Sequence, residues 1–109
     1  PLTGMHTYGA AMIGNDPEVE KELIEIFYES SEECLTALKA NLTDETDEEF
    51  RTQSHAWKGM ALNLGANELG RLCENGQRHE GMDEAGKTAL VGEMEAEYNK
   101  VKDYLEKQG

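Results

Sequence analysis

His55, Lys58, Gly59 and Gln77 are the residues whose types and spacing suit chemistry in this chain of 109 residues. A neutral imidazole acts as a nucleophile when one ring nitrogen is held by a hydrogen bond and the other keeps its lone pair. Lys58, one helical turn after His55, can reach the outer edge of the ring and bring a cation to any anion placed there. Gly59 lowers helix stability by ~1 kcal/mol relative to Ala, so its place one turn from His55 asks for a reason such as close approach of another molecule. His55 and Gln77 each lie 11 residues from Ala66. A hairpin turning at Gly65-Ala66 therefore sets them level, where Gln77 can bond one ring nitrogen and leave the other free.

The helix that carries His55 has two distinct faces. With ~100° per residue and Trp57 at zero, Phe50, Ser54, Met60, Ala61 and Leu64 fall within about 60° and form a buried stripe. His55 lies about 160° away, and Thr52, Gly59 and Leu62 share its arc of about 80°. Arg51 and Lys58 flank that arc near 120° and 100°, at about the edge of the outward face. An outward histidine is thus ringed by small or apolar neighbours.

Three more helices are needed to hold this one. Residues 1–14 mix Gly with Met5, Tyr8, Met12 and Ile13 and read as an arm or short helix. Asn15-Asp16-Pro17-Glu18 is a helix start, with an Asx cap before Pro and acids in the first turn. Val19, Leu23, Ile26, Phe27, Cys34, Leu35 and Leu38 keep helical spacing from there to about Ala40. Thr43 to Asp47 is a polar turn whose acids favour the start of the second helix, which runs to about Leu64 and is broken by Gly65. A third helix is expected from about Ala66 to His79, with Leu69, Leu72 and Cys73 inward and Gly81 as its C-terminal cap. Asp83 caps a fourth, carrying Leu90, Met94, Tyr98, Val101 and Leu105. The expected fold is all-α, an antiparallel up-down four-helix bundle over 15–109.

The run from His55 to Cys73, His-Ala-Trp-Lys-Gly-Met-Ala-Leu-Asn-Leu-Gly-Ala-Asn-Glu-Leu-Gly-Arg-Leu-Cys, resembles the histidine-containing phosphotransfer domain. That family's pattern is His-x-x-Lys-Gly, then Leu-Gly-Ala, then Leu-x-x-Leu-Cys. Gly14-Asn15-Asp16-Pro17 followed by Leu23 to Phe27 is similar to its first bundle helix. The resemblance implies a phosphorelay intermediate in which His55 takes a phosphoryl group from a receiver domain's aspartyl phosphate and passes it to another receiver's aspartate. It implies that Lys58 steadies the group, that Gly59 leaves room for the docking receiver, and that Gln77 stands where the family has Glu or Gln beside the histidine. The receiver would supply Mg²⁺ and most of the catalytic electrostatics, so this domain needs no cofactor of its own. Gly70 and Gly76 depart from the family pattern and are expected to loosen the third helix around Gln77.

Ten basic and 23 acidic residues leave a net charge of -13, which disfavours nucleic acids and anionic membranes as partners. Residues 1–50 carry 13 acids against 2 bases, whereas residues 51–79 carry 2 against 4. The segment with the chemistry is the one that escapes the acidity. No run approaches about 18 apolar residues, and there is no basic-then-apolar leader. With Pro first, a processed chain or excised domain is expected, cytoplasmic and monomeric, either free-standing or ending a membrane-anchored hybrid sensor kinase. Cys34 and Cys73 read as small core residues in a reducing compartment, and His6 and His79 as surface residues. The acids from Asp44 to Glu49 lack a calcium-loop ladder and read as a solvated cap. No nucleotide-binding or hydrolase motif supports an autonomous enzyme. The alternative is an acidic helical interaction module that binds a partner through the apolar patch around Leu62.

Overall fold

The computed structural model describes residues 17–108. Among the described residues its helices are α1 (Pro17–Ala40), α2 (Asp47–Leu64), α3 (Asn67–Arg78) and α4 (Glu84–Gln108), with a 3-10 turn at Asp44–Thr46 before α2. No strand occurs among the described residues. The arm over 1–14, the Asn15-Asp16 cap and His6 lie outside the described residues.

Helix ends follow from local chemistry. At the end of α2, Gly65 takes a φ of 87°, which only glycine adopts without strain. Its N–H bonds the Leu62 carbonyl at 3.0 Å and the Ala66 N–H bonds the Ala61 carbonyl at 2.8 Å, a Schellman turn that reverses the chain. Asp83 caps α4 as expected, its carboxylate accepting the Gly86 N–H at 2.8 Å. The end of α3 differs from expectation. It stops at Arg78, its cap residue His79 is extended, and Gly81 adopts a φ of 74° only afterwards, in the connection.

The helices run up and down. Lys39 of α1 pairs with Glu95 of α4 at 3.0 Å, and Tyr98 donates to Glu32 at 3.0 Å. Contacts that ascend on one helix while descending on the other define antiparallel neighbours. The core is built where the stripes meet: Phe27, Leu38, Phe50, Trp57, Ala61, Leu69, Cys73, Met94, Tyr98 and Val101 are buried. The Trp57 indole N–H donates to Ser31 Oγ at 2.8 Å, and its ring meets Tyr98 edge-on at 5.9 Å. These contacts join α1, α2 and α4 behind the outward face of α2.

One part of the α1 pattern faces elsewhere. Val19, Leu23 and Ile26 are 45, 44 and 51% exposed, although they keep helical spacing with the core residues Phe27, Cys34, Leu35 and Leu38. They form a stripe displaced to one side of α1's buried face, as their angular offset from Phe27 requires.

Candidate functional site on the outward face of α2

His55, Thr52 and Gly59 are exposed on α2, and Leu62 is 47% exposed beside them. The opposite stripe of Phe50, Ser54, Trp57, Ala61 and Leu64 is buried, so the core fixes which way the imidazole points. His55 makes no hydrogen bond or ion pair with any described residue. A Cβ built on Gly59 would meet nothing within 4 Å. The glycine is therefore not required by packing between helices, and the surface around the ring is open.

The hairpin turning at Gly65 brings α3 alongside in a definite register. Leu62 lies over Gly70, and the Lys58 ammonium meets the Glu74 carboxylate at 3.3 Å. Both pairs are equidistant from Ala66, the spacing that also sets Gln77 level with His55. The hydrogen bond expected between these two side chains is not formed. Gln77 Oε1 is instead buried without a partner, while its backbone carbonyl accepts from Arg51. A buried amide oxygen with no donor is costly to leave so.

Arg51, expected at the rim of the docking surface, belongs to the scaffold. Its guanidinium donates to the carbonyls of Gln77 and His79 at 2.9 and 2.8 Å and to Asp47 at 2.6 Å. The Gln77 carbonyl is one that the last turn of a helix leaves without a partner and the His79 carbonyl follows it, so Arg51 does the capping assigned to Gly81. His79 is not a surface residue either: its side chain is 4% exposed. Its Nδ1 accepts the Met82 N–H at 3.0 Å, which leaves Nε2 to carry the proton toward Asp47.

Asp47 is the centre of this group. It takes Arg51, His79 and the fully buried Lys87, whose ammonium is 2.7 Å away and also lies over the Phe50 ring at 5.3 Å. Burial alone would raise the Asp47 carboxyl, but hydrogen bonds from Lys87, Arg51 and His79 hold it well below the usual carboxylate range. Among the acids from Asp44 to Glu49, read as a solvated cap, Asp47 is thus a partly buried ion-pair hub that binds α2 to His79 and to Lys87 of α4.

Gly70 and Gly76 let α3 approach α2 closely. A Cβ on Gly76 would come within 2.6 Å of Ser54 Oγ and 3.3 Å of the Phe50 ring, and one on Gly70 within 2.5 Å of a Leu62 methyl. The close approach seals Ser54 Oγ from solvent without a hydrogen-bond partner. Cys34 and Cys73 are buried, as expected of core residues, and burial, then the neighbouring Cys34, pushes the Cys73 thiol up to about 12.

Glu74 and Lys87 are the members of this neighbourhood that sequence reading did not name, whereas Asp47 and His79 were read as part of a solvated cap and as a surface residue. Glu74 had a usable signal, because the count about Ala66 that levels Gln77 with His55 also levels Glu74 with Lys58. A cleft of about 510 Å³ between α3 and α4, lined by Asn75, His79, Met82 and Leu90 among others, includes none of His55, Lys58 and Gln77. Among the described residues no group of three or more His, Cys, Asp or Glu is placed to hold a metal ion, and no helix is long and apolar enough to cross a membrane.

No curated protein and no solved structure matches the chain. The family model of the Hpt domain matches residues 22–106, which takes in all four helices, the exposed histidine and the level carboxamide. Hpt domains are histidine-containing phosphotransfer modules of two-component systems, phosphocarriers that interact with receiver domains, and this chain belongs to the Hpt domain family.

Proposed function

We propose that His55 is the phosphoryl acceptor and that the domain relays the group between the aspartates of two receiver domains. A ring nitrogen attacks phosphorus as the P–O bond of the acyl phosphate breaks, the electron pair leaving with the receiver's carboxylate while the other ring nitrogen keeps its proton. Return to a second receiver is the reverse reaction. Lys58 offsets the phosphoryl charge, and rotation of Gln77 lets its orphaned Oε1 accept the retained ring proton. The receiver brings Mg²⁺, so the carrier's part is to present a nucleophile on a rigid helix.

The observation that carries this reading is the exposed, unpartnered His55 above the open Gly59. Around it, Thr52 and Leu62 offer a docking surface, and Val19, Leu23 and Ile26 leave further aliphatic surface exposed on α1. Aliphatic residues left on a surface of net charge -13 favour a partner that covers them.

The test is incubation of the domain with a panel of phosphorylated receiver domains and separately with ATP. Acid-labile phosphate is expected on His55 from a cognate receiver and none from ATP. Label that survives His55→Gln overturns the assignment. Receiver binding through Leu62 without any transfer would mark the domain as a non-catalytic interaction module, the reading its exposed aliphatic residues otherwise support.

A further inference from the structure

Lys58 is not free to receive an anion. Its side chain is 18% exposed and its ammonium is held by Glu74 Oε1 at 3.3 Å across the α2–α3 groove. The second carboxylate oxygen faces the Arg78 guanidinium at 3.5 Å. Glu74 therefore stands between two cations, one on the histidine helix and one on its own, one turn further on.

We infer that Glu74 is a positioning residue that holds Lys58 in the unphosphorylated domain and competes with the phosphoryl group for it. This rests on the proposed role of His55. A phosphoryl group on the ring adds about two negative charges and three strong acceptor oxygens. Lys58 can then exchange one carboxylate oxygen for a phosphoryl oxygen by rotation of its flexible stem. Arg78 stays with Glu74, so the exchange does not leave a bare carboxylate beside a dianion. The domain thus holds its phosphoryl group less firmly than a lone lysine would allow, which suits a carrier that must pass the group on. An exposed pair of this kind is worth up to about 1 kcal/mol, a shift of up to roughly fivefold in an equilibrium.

Phosphoramidate is a suitable probe because the reaction exchanges one N–P bond for another. Ammonia leaves as the His55 N–P bond forms, so the position of equilibrium can be read at a fixed ratio of phosphoramidate to ammonium. Wild type, Glu74→Gln, Lys58→Ala and the double variant are charged and the phosphorylated fraction is measured by phosphorus NMR. Glu74→Gln is expected to raise the ratio of phosphorylated to free domain by about two- to fivefold, and this gain should vanish in the Lys58→Ala background. An unchanged ratio in Glu74→Gln overturns the inference. A gain that persists without Lys58 overturns it as well, because Glu74 would then act through solvent as a general negative charge. If the wild type takes no phosphoryl group on His55, the proposed function fails and the inference with it, whereas wild-type labelling with no Glu74 effect removes the inference alone. Circular dichroism of each variant checks that the helices persist.

Discussion

The Arg51 guanidinium donates to the Gln77 backbone carbonyl at 2.9 Å, so the first turns of α2 hold the last turn of α3. The residue level with His55 is placed by an arginine one turn below it. The same fork reaches the His79 carbonyl at 2.8 Å and Asp47 at 2.6 Å, a planar arrangement that a point charge cannot reproduce. Arg51→Lys should therefore lower stability by about 1–2 kcal/mol and slow phosphoryl transfer through a displaced Gln77. Urea unfolding reads the first effect. Adding Gln77→Ala should leave little further loss of transfer rate, because the two residues act in series.

Asp47 gives the bundle a sensitivity to acid. Its carboxyl is held below the usual range in the folded state, so the folded domain binds this proton more weakly than the unfolded chain does. The stabilisation is complete above the ordinary carboxylate range and is lost as pH falls below about 4. Urea midpoints should drop between pH 6 and pH 3, and Asp47→Asn should flatten that part of the profile. At neutral pH the same substitution should cost about 3 kcal/mol, since it leaves the buried Lys87 charge without its carboxylate. Lys87→Met removes that charge along with its desolvation and should be much closer to neutral.

Two glycines one helix apart should respond to alanine with opposite signs. Gly59 faces open space, so Gly59→Ala should stabilise by up to ~1 kcal/mol, while the bulkier Gly59→Gln keeps the fold and blocks transfer. Gly76 presses on Ser54 Oγ, so Gly76→Ala should destabilise by about 1–2 kcal/mol despite alanine's helix preference. Ser54→Ala removes both the clash and a buried hydroxyl without a partner, and should recover part of that loss. Additive effects of Gly76→Ala and Ser54→Ala would show that the two helices are not in contact there.

Cys73 provides a probe of opening. With its thiol pushed up to about 12 by burial, it should resist alkylation near neutral pH in the native domain. Labelling should appear only in denaturant, on the same curve as loss of helicity. Rapid native labelling would contradict the packing of α3 against the core.

The features legible in the sequence were those set by local rules. The two faces of α2 follow from 3.6-residue periodicity, the stop at Gly65 from its backbone freedom, and the register of α2 and α3 from counting outward along a tight hairpin. The His55 face and its Lys58 and Gly59 neighbours belong to that class. What escaped depends on elements far apart in the chain. His79 carries no local mark of burial, because its partner Asp47 lies on α2, 32 residues away. Asp47 reads as one more acid in a first turn until Lys87 and His79 arrive from elsewhere. Gly70 and Gly76 were weighed by their cost to a single helix, whereas their use lies in the distance between two. Val19, Leu23 and Ile26 keep helical spacing with the core, yet a stripe wider than the bundle can cover leaves its edge in water.

The chain's one tryptophan sits two residues from His55 but points into the opposite side of the helix, sealed beneath Ser31 and Tyr98. Tryptophan fluorescence, excited selectively over that of the tyrosines, therefore comes from a chromophore that solvent does not touch. A shielded indole is expected to emit toward the blue, and to redden when α1 or α4 parts from α2. Chemistry on the far face of the same turn is optically silent, so the molecule keeps separate accounts of whether it is folded and whether it is charged.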